Sequence, residues 1–329
     1  MRLVPPALAT VTAVTAVALA GCSTHVDPVD AADPRTDEQW GLDVVNSRSS
    51  WEYATGKDVV IAVIDSGVDG GHRDLRAQMV RGYDFVDGDR NPKDENGHGT
   101  HVAGIAAAAA NDYGIIGAAP EARIMPVRAL DASGAGSNAT IAEAIDWAVE
   151  HGANVINLSL DETGLLGRIE KGGPVNDAIT RADEAGVVVV AASGNAGEVG
   201  QQYQFGVHVL VVNASNKVGT ATYFSNVGDA RAVAAPGMDI LSTVPTYATT
   251  LFPDGTDGYA TLAGTSMAAP LVAGVAAQLI SAGVPSEEVI DLITETASNP
   301  DARPGLGNGI VDAHAALVEA VNRGFIAVD

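Results

Sequence analysis

Five runs of apolar and largely β-branched residues, at 59–64, 124–130, 154–160, 187–192 and 207–213, recur along the chain. None alternates apolar with polar positions as a half-exposed strand would, so each reads as a strand covered on both faces. Between them, residues 101–110, 139–151 and 174–185 carry apolar positions at helical spacing. A last long run of Ala, Val and Leu, 267–280, follows Gly264-Thr265-Ser266 and predicts a buried helix with Ser266 at its amino end. Pro270 is tolerable there only if it falls within the first turn. Strands alternating with helices predict an α/β fold: a mostly parallel central sheet with helices on both faces. No repeat of domain-building period is evident.

The N-terminus changes this picture. Residues 1–21 hold one charge, Arg2, before a short apolar stretch, and read as a secretory signal. Leu19-Ala20-Gly21-Cys22 closes it and resembles the bacterial lipobox, with the chain's one cysteine at the cleavage point. Acylation of Cys22 would give the two lipid chains that stable membrane attachment requires; the alternative is an ordinary signal peptide with an incidental cysteine. Residues 22–36, polar with two Asp-Pro steps, predict a flexible tether, and 37–329 one large domain. No second stretch is long enough to span a bilayer. The protein is therefore expected outside the cytoplasm on the outer face of the cell membrane, or released from it, without an intramolecular disulfide.

Charge narrows the partners. Asp and Glu number 41 against 18 Lys and Arg, a net charge of −23, which argues against nucleic acid. A monomer is expected.

In parallel sheets, sites gather at the carboxyl ends of strands and the amino ends of helices. Asp65 ends a strand in VIAVIDSGVD, His98 opens a helix in NGHGTHVAG, and Ser266 opens another in GTSMAAP. A carboxylate, an imidazole and a hydroxyl are the parts that nucleophilic acyl transfer needs. Asn195 in AASGNAG follows an apolar strand and offers an amide donor for an oxyanion. Ser266 alone would equally serve as a helix cap.

These four segments, in the order Asp, His, Asn, Ser, are similar to the signature segments of the subtilisin-like serine proteases, and the resemblance spans roughly residues 37–320, including GLGNGIVDA near the end. It implies a subtilisin-like three-layer sandwich and a serine endopeptidase acting on polypeptides. By the same resemblance Asp65 orients, His98 is base and then acid, Ser266 attacks, and Asn195 with the Ser266 N–H holds the oxyanion. A catalytically silent relative that only binds peptides is the rival reading; a general esterase is another.

Further positions follow from the resemblance. Ser133, Gly134, Ala135 and Gly136 match one edge that pairs with substrate as an added strand, and Ser159, Leu160 and Asp161 match the opposite one. GAGSNA in the first segment also fits a dinucleotide-binding pattern, but Thr140 with Glu143 predicts a capping box that starts the helix after it. Asp74 and Asn111 match positions that supply oxygen to the family's calcium site, with Asp33 or Asp37 completing it. The chain departs from the family at Asp161-Glu162, where two glycines are usual, and in the inserted TGLLGRIEKGG, which leaves primary specificity open. The residues between Cys22 and the start of the match are too few for the family's usual pro-domain, so either the chain folds unaided or the tether covers the cleft until it is cut.

Overall fold

The computed structural model describes residues 33–160, 173–200, 203 and 206–327. Its strands are β1 (Val60–Asp65), β2 (Tyr83–Asp84), β3 (Arg123–Arg128), β4 (Val155–Leu158), β5 (Val188–Ala192), β6 (Leu210–Ser215), β7 (Val233–Pro236), β8 (Ile240–Thr243) and β9 (Tyr259–Leu262). The α-helices are α1 (Trp40–Val44), α2 (Ser47–Ser50), α3 (His98–Ala107), α4 (Asn138–Glu150), α5 (Pro174–Glu184), α6 (Thr265–Ser281), α7 (Ser286–Thr296) and α8 (Ala313–Asn322). The first seven strands form one sheet in the order β2-β3-β1-β4-β5-β6-β7, parallel throughout. An antiparallel pair, β8 with β9, stands apart.

Alternation along the strands divides the interior into two cores. Ile61, Val63, Val155, Val188 and Val190 face α3 and α6, with α7 and α8 behind. Their neighbours Ala62, Ile64, Ile156, Leu158 and Val189 face α4 and α5 on the other side. Both faces of every central strand are thus apolar, which is why these strands read as unbroken runs in the sequence. Each fully buried Val or Ile contributes about 1.5–3 kcal/mol of transfer free energy.

Several elements begin or end away from their expected places. Helix α3 starts at His98, ahead of the apolar run at 101, because the side chains of Asn96, Ser66 and Asp94 accept the N–H groups of His98, Gly99 and Thr100, and it ends where Ala108 turns extended. The cap of α4 is Ser137, whose Oγ accepts the Thr140 N–H at 3.0 Å; Thr140 and Glu143 lie inside the helix and form no entry box. Pro270 is the sixth residue of α6, beyond the first turn, so another group must serve the carbonyl its missing N–H leaves. The folded body also begins before residue 37. The Arg35 N–H donates to the Gly114 carbonyl at 2.9 Å and Asp33 is buried, which takes 33–36 out of the expected tether. Among the described residues no helix is long and apolar enough to cross a membrane.

Candidate active site

Asp65 is the last residue of β1 and has no exposed surface. His98 is the first residue of α3, with 19% of its side chain exposed. Its Nδ1 lies 2.8 Å from one Asp65 oxygen and 2.9 Å from the other, and the Ser66 N–H donates to the same carboxylate at 2.7 Å. A carboxylate so placed keeps the proton on Nδ1 and leaves Nε2 as the basic nitrogen. The close approach depends on Gly99, since a Cβ there would lie 2.2 Å from the Gly67 carbonyl oxygen and 3.1 Å from Asp65 Cβ.

Asp94 holds this arrangement together. It is fully buried; one oxygen accepts from Ser66 Oγ at 2.9 Å, the Asn96 N–H at 3.1 Å and the Gly97 N–H at 2.7 Å. The other accepts from the N–H and the hydroxyl of Thr100 at 2.9 and 2.6 Å. Burial pushes its carboxyl above the usual carboxylate range, against the pull of those donors. Sequence reading missed this residue. The available signal was an Asp opening the Asp-Glu-Asn-Gly turn immediately before a helix, which is both turn and capping chemistry.

Ser266 is the second residue of α6 and is 4% exposed. Its carbonyl accepts the hydroxyl of Ser159 at 2.9 Å, which supplies the donor that Pro270 lacks. Asn195 reaches the same helix start: its Oδ1 accepts from the Thr265 N–H at 2.8 Å and from Thr265 Oγ1 at 3.1 Å. That contact fixes the orientation of the amide beside the first turn of α6. Asn226 in turn fixes the Asn195 loop, its Oδ1 accepting from the Ala196 and Glu198 N–H groups at 3.0 and 2.9 Å. Asn226 too was missed, because its role depends on a contact across the fold.

The subtilase family profile matches residues 56–314. The chain belongs to that family. It is 40% identical to thermitase of Thermoactinomyces vulgaris over 288 residues, covering 86% of this chain and 96% of that protein. Subtilisin DY of Bacillus licheniformis is 36% identical over 273 residues, 79% of this chain and 91% of its own. A solved protease from Pseudoalteromonas arctica PAMC 21717 superimposes with a TM-score of 0.79 at 33% identity, covering 88% of this chain and 99% of that one. This subtilase is accordingly a serine endopeptidase with polypeptide substrates, and the expected fold is the one it has.

The subtilase keeps a second histidine nearby that stays uncharged. His101 is completely buried on α3, and its Nε2 lies 3.1 Å from the carbonyls of Ile240 and Ala260. Burial, and then the neighbouring His98, lower its pKa to about 3. His101 therefore anchors α3 to the β8–β9 pair as a neutral donor.

The expected substrate edges are partly committed to the protein itself. Ser133 and Ala135 donate their N–H groups to Asp131 Oδ1 at 2.8 and 3.1 Å, and the Ala135 carbonyl accepts from the Asp131 N–H at 2.8 Å. Gly134 sits at φ +82°, the conformation this tight turn requires. Gly136 runs against the Ala129 carbonyl, 2.6 Å from where a Cβ would be. On the opposite edge Ser159 is buried against Ser266 and Leu160 packs into the core. Asp161 and Cys22 lie outside the described residues.

Asp74, Asn111 and Asp33 do come together. The Asn111 and Asp112 N–H groups donate to Asp33 Oδ1 at 3.2 and 2.6 Å, and Asn111 Nδ2 lies 3.4 Å from Asp74 Oδ1. The other Asp74 oxygen accepts from the Ile115 N–H at 3.1 Å and the Tyr259 hydroxyl at 2.8 Å. Burial raises the Asp33 pKa, and the charge of Asp74 raises it further. Among the described residues no group of three or more His, Cys, Asp or Glu side chains could hold a metal by itself.

Proposed function

We propose that Asp65, His98, Ser266 and Asn195 carry the peptide hydrolysis of this subtilase through an acyl-enzyme. The observation that supports it most is the paired contact of the Asp65 carboxylate with His98 Nδ1. Ser266 Oγ attacks the scissile carbonyl carbon while His98 Nε2 takes its proton, and the carbonyl oxygen becomes an anion. The Asn195 side-chain amide and the Ser266 N–H, at the positive end of α6, donate to that anion. Collapse expels the amine, which leaves with the proton from His98; water then repeats the sequence on the ester and restores Ser266. Leaving groups therefore depart as neutral amines.

Reaction of the purified protein with a fluorophosphonate tests this assignment. Labelling confined to Ser266, and lost in Ser266→Ala, is expected; a folded protein that takes no label would leave the constellation without chemistry.

A calcium ion is proposed at Asp33, Asp74 and Asn111. Two buried carboxylates, the charge of Asp74 disfavouring that of Asp33, beside an amide and the carbonyls of the loop at 111–115, fit a hard oxygen-seeking cation by donor chemistry. When bound, the ion would neutralise that charge and tie the start of the folded chain to the loop. Residues 1–21 are proposed as a signal, with Cys22 as a lipid anchor to the outer face of the cell membrane. Release of a Cys22→Ser variant into the medium is expected, and equal retention of both forms would refute the anchor.

A further inference from the structure

We infer that a cationic cavity at the edge of the sheet, built from the segments that follow Asp65 and precede His98, receives acidic side chains of the polypeptide substrate, outside the residues at the bond being cut. The cavity, about 580 Å³, lies at the β2 edge of the sheet, with Arg81, Arg90 and Lys93 in its wall. That volume is within the usual range for a ligand site. The local charge runs against that of the whole chain. In a chain with 41 acidic and 18 basic side chains, three cations share this one wall, whereas Arg35, Arg48, Arg128, Arg181 and Arg323 each pair with a carboxylate. Among the described residues Arg81, Arg90 and Lys93 form no ion pair, and Lys93 instead lies over the Tyr247 ring at 4.7 Å.

One carboxylate, Asp69, shares the wall with these three cations, so a positive balance remains. Asp69, also in the wall, is 7% exposed, and its oxygens accept from the Gly71 N–H and from the N–H and hydroxyl of Thr246 at 3.0, 3.0 and 2.8 Å. Asp87, on the loop between Arg81 and Arg90, pairs with Arg128 at 2.7 Å. Arg81 and Arg90 are exposed, so they meet a ligand from solvent without the cost of a buried cation.

The cavity shares its frame with the active site. The Val68 N–H donates to the Pro92 carbonyl at 2.9 Å, and the Asp69 N–H to Thr100 Oγ1 at 2.9 Å. Val68 is three residues beyond Asp65, and Lys93 five before His98. Residues of a bound polypeptide away from the cleaved bond would meet this wall, and charge of the opposite sign on them would be drawn in. This inference rests on the peptidase reading, so one of its tests does not need turnover.

The test compares two quenched peptides, alike at the cleaved bond, with flanking residues either acidic or neutral. At low ionic strength the wild-type chain should favour the acidic peptide by about tenfold in kcat/KM, a preference that added salt reduces. The R81Q/R90Q/K93Q variant should lose that preference while cleaving the neutral peptide at the wild-type rate; Arg90→Gln alone should lose part of it if the triple variant folds poorly. Equal ratios in wild type and variants would overturn the inference. Independently of activity, Ser266→Ala should bind a fluorescent acidic peptide, and the three further substitutions should weaken that binding. Binding that the substitutions leave unchanged, or displacement of a dye by phosphate with no binding of the acidic peptide, would likewise overturn it.

Discussion

The hydroxyl of Ser159 donates to the carbonyl of Ser266 at 2.9 Å, filling the place of the N–H that Pro270 does not have. A residue of the expected substrate edge and the proposed nucleophile are thus joined through a defect in α6. Removing the donor leaves a buried carbonyl unsatisfied, at a cost of about 1–3 kcal/mol. Ser159→Ala should lower unfolding free energy by that amount in urea titration. In a Pro270→Ala background the backbone supplies an N–H, and the loss should shrink. Equal losses in the two backgrounds would show that the contact is incidental.

The assigned roles differ in their expected rate effects. Ser266→Ala should reduce turnover by about 10⁶, Asp65→Asn by about 10⁴ through the wrong imidazole tautomer, and Asn195→Ala by about 10²–10³. All three should melt as cooperative folded proteins. Steady-state assays on one peptide amide check the order, and a mild effect of Asp65→Asn would break the assignment of His98.

Asp94 accepts five hydrogen bonds from Ser66, Asn96, Gly97 and Thr100. Asp94→Ala strands several buried donors, each costing about 1–3 kcal/mol, so a loss of at least about 3 kcal/mol is expected. Calorimetry should show the drop in melting temperature, and turnover of the remaining folded fraction should fall because Gly97 and Thr100 position His98.

His101 gives a pH dependence with a definite sign. Its folded pKa, about 3, lies below its ordinary 6.5, so between those values the unfolded chain binds the extra proton. Its contribution to stability is complete above pH 6.5 and is lost as pH falls toward 3, at about 1.4 kcal/mol per pH unit. Denaturant titrations at several pH values should show a steeper acid loss for wild type than for His101→Gln. Parallel curves would mean that His101 is not buried as a neutral donor.

Calcium at Asp33 and Asp74 would raise stability by about 2.7 kcal/mol at a hundredfold excess over its dissociation constant. Chelation should lower the melting temperature of the wild-type protein and leave Asp74→Asn unmoved. An identical response of the two proteins to chelator would remove the ion from this site.

The sequence by itself determined the architecture and supplied the residues proposed for the chemistry. Runs such as 59–64 and 187–192 must be covered on both faces, which leaves little besides a parallel sheet between helices. Asp65, His98, Asn195 and Ser266 were legible because each sits in a segment whose glycines permit close backbone approach at a strand end or helix start. Tertiary structure alone decided what supports them. Asp94 gathers donors from two segments, Asn226 holds the Asn195 loop from 30 residues away, and Ser159 completes a helix 107 residues further on. It also brought Arg81, Arg90 and Lys93 to one cavity. Local pattern specifies which residues face inward and where chains turn, because those depend on neighbours in sequence. Which buried polar groups satisfy one another depends on neighbours in space, and only the folded chain sets those.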